Sequence, residues 1–242
     1  MSMGTIKCML GFSTTSDNAL HRRLEGHTTA MDASYRASHL HWLSALTTLH
    51  DAIDAALLDD ASTAEHRLVA GQQQLAVCNA QLTALGQALV ALRSDLFDRR
   101  DVDAADPLIA REMLFAALDY DGLYRELAGR GAALPHRTFW DETVSRLRDG
   151  GARGGCRLLE RHLRELQSDL HSFIPDIDSA GRLPLHAMAI ALHDTCIPVS
   201  RVSVGYTRLA MTFAYVSFLC DRAMQAYERA IGQTDATALA VG

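Results

Sequence analysis

Four glycines within six positions, directly before a strong helix-forming segment, constrain this chain more than any other feature. They are Gly150, Gly151, Gly154 and Gly155. Glycine inside a helix costs about 1 kcal/mol relative to alanine, so four of them beside a good helix need a physical reason. One interpretation, favoured by this stretch alone, is a loop that joins two helices. The other is a backbone that bends, or that lies against a flat partner with no Cβ in the way.

The remaining composition predicts an all-α protein. Alanine, leucine, arginine and the acidic residues dominate, only five prolines occur among 242 residues, and runs of β-branched residues are almost absent. This length suffices for one large core. We predict a single-domain multi-helix bundle, with a flexible arm over residues 1–16, a helical domain over 17–231 and a flexible tail over 232–242.

Apolar residues spaced by three and four predict the individual helices. The clearest stripes lie in residues 33–58, 64–98 and 199–231, and Leu158, Leu159, Leu163 and Leu166 form another after the glycines. Shorter helices are predicted from residue 17 to a stop near Gly26, from Pro107 onward, and over 138–148 and 185–196. The helix after the glycines should end before Pro175 and be followed by an acidic loop over 176–181, and Pro198 should separate the last two helices.

Charge and cysteine usage narrow the possible partners. The net charge of −6 argues against nucleic acid, whose phosphates need a clustered basic surface. Five cysteines without CxxC spacing indicate reduced thiols rather than a disulfide framework or a zinc site. The first residues are too weakly apolar for a signal peptide, and no segment approaches a membrane span of about 18 apolar residues. We therefore expect a cytoplasmic protein with no membrane partner.

Four separated pieces, in this order along the chain, resemble bacterial heme oxygenases. They are Ala19-Leu20-His21-Arg22-Arg23-Leu24-Glu25; Tyr35-Arg36 with Trp42-Leu43 and Leu49-His50-Asp51-Ala52-Ile53-Asp54-Ala55-Ala56-Leu57; Asp149-Gly150-Gly151-Ala152-Arg153-Gly154-Gly155; and Leu209-Ala210-Met211-Thr212-Phe213-Ala214. The resemblance spans most of the chain, but the stretch 65–137 matches poorly. It implies a heme oxygenase-like fold.

The resemblance also implies a site and a reaction. His21 would be the proximal ligand of the heme iron, and Glu25, one turn later, would hold the other nitrogen of that ring. Heme would be both cofactor and substrate, giving biliverdin, CO and iron with electrons from a separate reductase or ferredoxin. The backbone of the distal helix would approach the porphyrin at Gly150, Gly151, Gly154 and Gly155, and the candidates for pairing with the propionates are Arg22, Arg23 and Arg208.

Two alternatives remain open. The same fold includes members that bind no heme, so a non-catalytic helical ligand-binding or regulatory protein is the first of them. The second, weaker one is a metal-dependent phosphohydrolase of the HD type. Its layout of histidines and aspartates is similar to His162, His193, Asp194 and Asp221, although the gap before the last aspartate is short.

Overall fold

Long helices make up most of this structure. The computed structural model describes residues 14–97, 137–180, 183–193 and 196–241. Within these ranges there are five helices and no strand, which confirms the all-α prediction for them. The helices are α1 (Thr14–Leu57), α2 (Ala61–Phe97), α3 (Arg137–Ala180), α4 (Leu185–His193) and α5 (Cys196–Val241). The helix predicted from Pro107 and most of the predicted arm lie outside the described residues.

Helix α1 is continuous where two helices were predicted, so the predicted stop at Gly26 was wrong. A Cβ placed on Gly26 would meet no atom within 4 Å, and the residue is exposed. One glycine lowers helix stability by about 1 kcal/mol but removes no backbone hydrogen bond. Leu24 and Met31, on either side of it, are both buried. Their packing is sufficient to carry the helix through this position.

Two other predicted helix ends were also wrong. Helix α3 continues through Pro175 and the predicted acidic loop to Ala180. The last two helices are separate, as predicted, but the division falls about three residues before the predicted position, because α4 ends at His193 and α5 begins at Cys196. Pro198 lies in the first turn of α5, where its missing N–H breaks no helix hydrogen bond. Helix α5 also continues past residue 231 to Val241.

Helices α1 and α2 form an antiparallel pair joined by a short turn. His27 of α1 lies 2.9 Å from the Asp95 carboxylate near the end of α2, whereas Arg67 near the start of α2 donates to Asp51 at 2.8 Å. In the turn, the carboxylate of Asp60 accepts a hydrogen bond from the Thr63 backbone N–H at 3.1 Å. This bond caps α2. The hydrogen bond from the Thr63 hydroxyl and, after it, this backbone bond lower the pKa of Asp60.

Helices α3 and α5 complete a bundle of four long helices in the described part of the chain. Arg93 of α2 donates to Glu160 of α3 at 2.7 Å, and Leu166 of α3 packs directly on Gly205 of α5. The directions alternate, so α1 and α3 run one way and α2 and α5 the other. We call the end where α1 begins and α2 finishes the upper end. The short helix α4 packs against α1 and α3.

The bundle interior is formed by the stripes that the sequence predicts. On α2 the buried residues are Ala64, Leu68, Gly71, Leu75, Cys78, Leu82, Leu85, Leu89, Leu92 and Leu96. Trp42 of α1 meets Phe173 of α3 edge to face, with ring centroids 5.7 Å apart, in the middle of this core. The α1 stripe ends early, because Leu57 is 57% exposed.

One helix among the described residues, α2, is long and apolar enough to cross a membrane by length and composition, with a mean hydropathy of 1.5 over its most apolar window. This was not expected from the sequence. Only 33% of that window is buried, but the buried third is the face that packs into the bundle. A core helix passes the same criterion, so the finding is weak evidence for a membrane segment, and the cytoplasmic location stays a prediction.

Candidate functional site

The glycine stretch forms a sharp bend inside α3. Gly151 has φ 53° and ψ −145°, while the backbone is helical on both sides of it. Side-chain-bearing residues rarely adopt this conformation, so glycine is required at this one position. The loop interpretation favoured by the stretch alone was therefore wrong, and the interpretation as a backbone bend is confirmed.

The other three glycines have different surroundings. Gly150 is exposed, and a Cβ placed on it would meet no atom within 4 Å. Gly154 is half-buried and Gly155 is buried. Between them, the Arg153 guanidinium lies 5.0 Å from the centre of the Phe97 ring at the end of α2. The bend is thus held against the upper end of the bundle.

The first turns of α1 lie at the same end as this bend. Arg23 of α1 lies 3.5 Å from the carboxylate of Asp95, which is near the end of α2. Phe97, which contacts Arg153 of the bend, is two residues farther along the same helix. Residues 21–25 and 151–155 therefore flank the same end of α2. Arg22 and Glu25 are exposed at the surface there, and the side chain of His21 lies outside the described part.

The described residues just below these two segments form a buried layer. It contains the buried side chains of Leu24, Leu96, Cys156 and Cys220 from the four long helices. Burial raises the pKa of the Cys156 thiol to about 12, and burial also raises the pKa of Cys220. A flat ligand between the start of α1 and the bend would have to lie above this layer, or else separate the helices.

Arg208, a predicted propionate partner, lies elsewhere. Its guanidinium is 3.9 Å from Glu165 of α3, about 15 Å along the bundle from Gly155 at 1.5 Å per residue. Buried His162 also faces Glu165, at 3.4 Å, and burial lowers its pKa. The structure therefore does not bring Arg208 together with the glycine bend.

The residues of the predicted phosphohydrolase site are also separated. His162 and Arg208 both face Glu165, whereas Asp221 is 13 residues farther along α5 than Arg208 and lies near the level of Cys156, so about 10–15 Å separate it from His162 along the bundle. His193 ends α4, and Asp194 is not described. No group of three or more histidine, cysteine, aspartate or glutamate side chains in the described part could hold a metal ion.

An open groove between α1 and α5, in the upper half of the bundle, was not found from the sequence. Its volume is about 750 Å³. We call it the α1/α5 groove, and it is lined by Thr28, Thr29, Asp32, Tyr35 and Arg36 of α1 and by Ala210, Phe213, Ala214, Ser217, Phe218 and Asp221 of α5. Three of the groove-lining residues of α5, namely Ala210, Ala214 and Ser217, have small side chains, so they do not fill the space between the two helices. The sequence signal was therefore this repeated small residue beside phenylalanine.

Hydrogen bonds and ring contacts hold Tyr35 in position at the wall of the groove. The Tyr35 hydroxyl donates to the Tyr206 carbonyl at 3.4 Å, and the Tyr35 ring stacks on His39 with centroids 6.1 Å apart. Behind them, the Tyr206 hydroxyl lies 2.8 Å from the Cys78 thiol in the bundle core. Burial, followed by repulsion from Asp32, raises the pKa of Tyr35. Tyr35 is therefore a neutral, well-held ring at the groove wall.

Comparison with protein-family models, with curated proteins and with solved structures gives no match for this chain.

Proposed function

We propose that this protein is a helical ligand-binding protein whose site is the α1/α5 groove. The observation that carries the proposal is a groove of about 750 Å³ lined by the rings of Tyr35, Phe213 and Phe218. Protein interiors and helix contacts are normally close-packed, so an open groove of this size between two helices offers a small molecule both an aromatic packing surface and polar groups to bind. The hydrogen-bonded layer behind Tyr35 holds this wall in place before a ligand arrives.

The test is binding of small naphthalene-bearing molecules, measured by equilibrium dialysis. Ala214 lines the groove, and the ring introduced by Ala214→Phe would occupy part of it, so binding should fall at least about tenfold because the ligand loses packing surface. Ala80 is exposed on α2, away from the groove, and Ala80→Phe is the matched control. Equal binding by both variants, or no binding by the wild-type protein, would reject the groove as a ligand site.

Heme is the second candidate ligand, at a different place. Its support is the sequence resemblance together with one specific observation: the first turns of α1 and the bend at Gly151 flank the same end of α2. In this proposal His21 binds the iron and Glu25 orients His21. Arg22 and Arg23, both exposed at this end of the bundle, are the candidates for the propionates, and Arg23 also lies 3.5 Å from Asp95. The heme iron would supply oxygen activation, and electron delivery by a reductase or ferredoxin rests on the resemblance alone.

A hemin titration followed by absorbance tests this second candidate. The expected result is a Soret band that His21→Ala shifts or weakens and that His50→Ala leaves unchanged, because the His50 side chain is 74% exposed on the same helix, far from the bend. Ala214→Phe should not affect this band if hemin binds outside the α1/α5 groove. A Soret band that is identical in wild type and His21→Ala would exclude His21 as the iron ligand.

A further inference from the structure

The outward face of α2 carries no charge over most of its length. Between Arg67 and Arg93 the sequence contains no aspartate, glutamate, lysine, arginine or histidine. The outward face of a helix in a soluble bundle is normally its charged face, because water solvates charges there. Helix α3 shows this usual pattern, since Arg157, Arg164 and Glu165 are exposed on it. The outward face of α2 is therefore suited to contact with another uncharged surface.

The exposed residues of this face recur with the spacing of two paired helices. They follow one another at alternating steps of four and three, on the side of α2 opposite its buried leucines. Val69 and Val90, at the two ends, are 51% and 50% exposed, and the neighbouring Val77 is 40% exposed. We call this row of exposed residues the α2 seam: Val69, Gln73, Ala76, Ala80, Thr83, Gln87 and Val90.

The α2 seam reads almost the same in both directions about Ala80. A second α2 that is related to the first by a two-fold axis at Ala80 runs antiparallel to it. Each seam residue then faces the residue at about the same distance on the other side of Ala80. The facing pairs are Val69 with Val90, Gln73 with Gln87, and Ala76 with Thr83, and Ala80 faces itself.

The chemistry of these facing pairs suits a close contact between helices. Facing valines bury apolar surface at both ends of the seam. Each facing glutamine can donate an amide N–H to the amide oxygen of the other, which satisfies both groups when water is excluded. Alanines in the middle let the helices approach closely, since the distance between helix axes depends on the side chains at the contact. The Thr83 hydroxyl already donates to the Asn79 carbonyl at 3.0 Å, so it needs no partner from the other chain.

We propose that the α2 seam is the docking surface for a second copy of this chain, and that the two copies form an antiparallel pair of α2 helices about a two-fold axis at Ala80. The seam is about 32 Å long at 1.5 Å per residue, and a helix face is about 10 Å wide. A standard interface buries about 800 Å² per partner, more than this strip provides, so the dimer should dissociate in the micromolar range. The seam shares no residue with the α1/α5 groove, so this inference is independent of the proposed function.

A lipid bilayer fits this face less well than a second copy. Helix α2 is apolar enough by composition to span a membrane, with a mean hydropathy of 1.5 over its most apolar window. Gln73, Asn79 and Gln87 are nevertheless exposed on it, and their amides would find no hydrogen-bond partner in hydrocarbon. In the antiparallel pair the two glutamines have each other as partners.

Sedimentation velocity of the full chain over about 2 to 200 µM tests the proposal. We expect a reversible equilibrium between monomer and dimer in the wild-type protein. Ala80→Glu places two carboxylates against each other at the two-fold axis, and it should weaken the dimer at least about tenfold. Ala33→Glu, at an exposed alanine of α1, is the matched control and should leave the equilibrium unchanged. Both substitutions are at exposed helix positions, so circular dichroism should show that both variants are folded.

Two double variants test the antiparallel register. In Gln73→Glu with Gln87→Arg, each new carboxylate faces a guanidinium of the other copy. In Gln73→Glu with Gln87→Glu, carboxylates face carboxylates. We expect the first double variant to dimerise at least about tenfold more tightly than the second. In a parallel pair both double variants would bring like charges together, so equally weak dimers would contradict the proposed geometry.

Three other results would overturn the inference. A wild-type protein that stays monomeric up to about 200 µM lacks the interface. A dimer that Ala80→Glu and Ala33→Glu affect equally is formed by a different surface. A monomer that instead sediments with phosphatidylcholine vesicles, and that loses this binding in Ala80→Glu, would assign the α2 seam to a lipid surface.

Discussion

At the scale of single residues, the bend in α3 depends on Gly151 alone among the four glycines. Its φ of 53° and ψ of −145° are costly for any residue with a Cβ, so Gly151→Ala should lower the free energy of unfolding by about 1–3 kcal/mol. Gly150→Ala is the control, because a Cβ there meets no atom and alanine favours a helix. We expect it to raise stability by about 0.5–1 kcal/mol. Urea denaturation of both variants measures this difference, and equal effects would contradict the role given to Gly151.

The sequence identified this stretch but not the residue within it that matters. Glycine spacing shows that the backbone has freedom over residues 150–155, and it contains no information on which φ becomes positive. That choice depends on where the two halves of α3 must point in order to pack. Arg153 on Phe97 and buried Cys156 illustrate such contacts, which are distant in sequence. For the same reason the structure brings together only some of the predicted site residues: residues 21–25 and 151–155 flank one end of α2, whereas Arg208 lies elsewhere.

At the scale of helices, Gly71 sets how closely α2 approaches α1. A Cβ on Gly71 would lie 2.8 Å from Leu49 Cδ2 and 2.9 Å from Leu49 Cγ. Leu49 is only 5% exposed, so it has little room to move. We expect Gly71→Ala to cost about 1–3 kcal/mol through overpacking, despite the better helix propensity of alanine. Gly26→Ala, with open space around it, should instead stabilise the protein by up to about 1 kcal/mol. Stabilisation by both substitutions in thermal or urea melts would disprove the close contact.

Helix stripes were predictable, and helix ends were not. The buried faces of α2 and α5 follow directly from apolar spacing, because burial of one face is what the pattern records. Gly26 and Pro175 were expected to end helices, but both helices continue through them. Each residue weakens its helix only locally, and the packing of the long helix outweighs that cost. The α1/α5 groove was missed because its one sequence signal, small residues beside phenylalanine on α5, does not show by itself that two helices stand apart. Periodicity shows only which face of a helix is inside.

At the scale of the whole molecule, a buried histidine contributes to the dependence of stability on pH. His162 is 3% exposed, and burial lowers its pKa from the ordinary 6.5, with Glu165 opposing the shift in part. The unfolded chain therefore binds a proton below pH 6.5 that the folded protein does not, and stability falls as the pH falls below this value. His162→Gln should make this acid-side slope shallower in urea titrations from pH 7 to pH 5. Parallel slopes for wild type and His162→Gln would exclude this contribution.

The buried thiols produce the opposite slope on the alkaline side. Burial raises the pKa of Cys156 to about 12 and also raises the pKa of Cys78 and Cys220, all from an ordinary value of 9.0. Above pH 9 the unfolded chain loses thiol protons that the folded protein retains, so stability falls as the pH rises. Each buried thiol can lower the free energy of unfolding by at most about 1.4 kcal/mol per pH unit. Cys156→Ala should lower stability at pH 7, because it leaves a small cavity, yet flatten the decline between pH 9 and pH 11. An undiminished decline in that variant would show that Cys156 is ionised, or accessible to solvent, in the folded protein, and would contradict the buried layer beneath the upper end of the bundle.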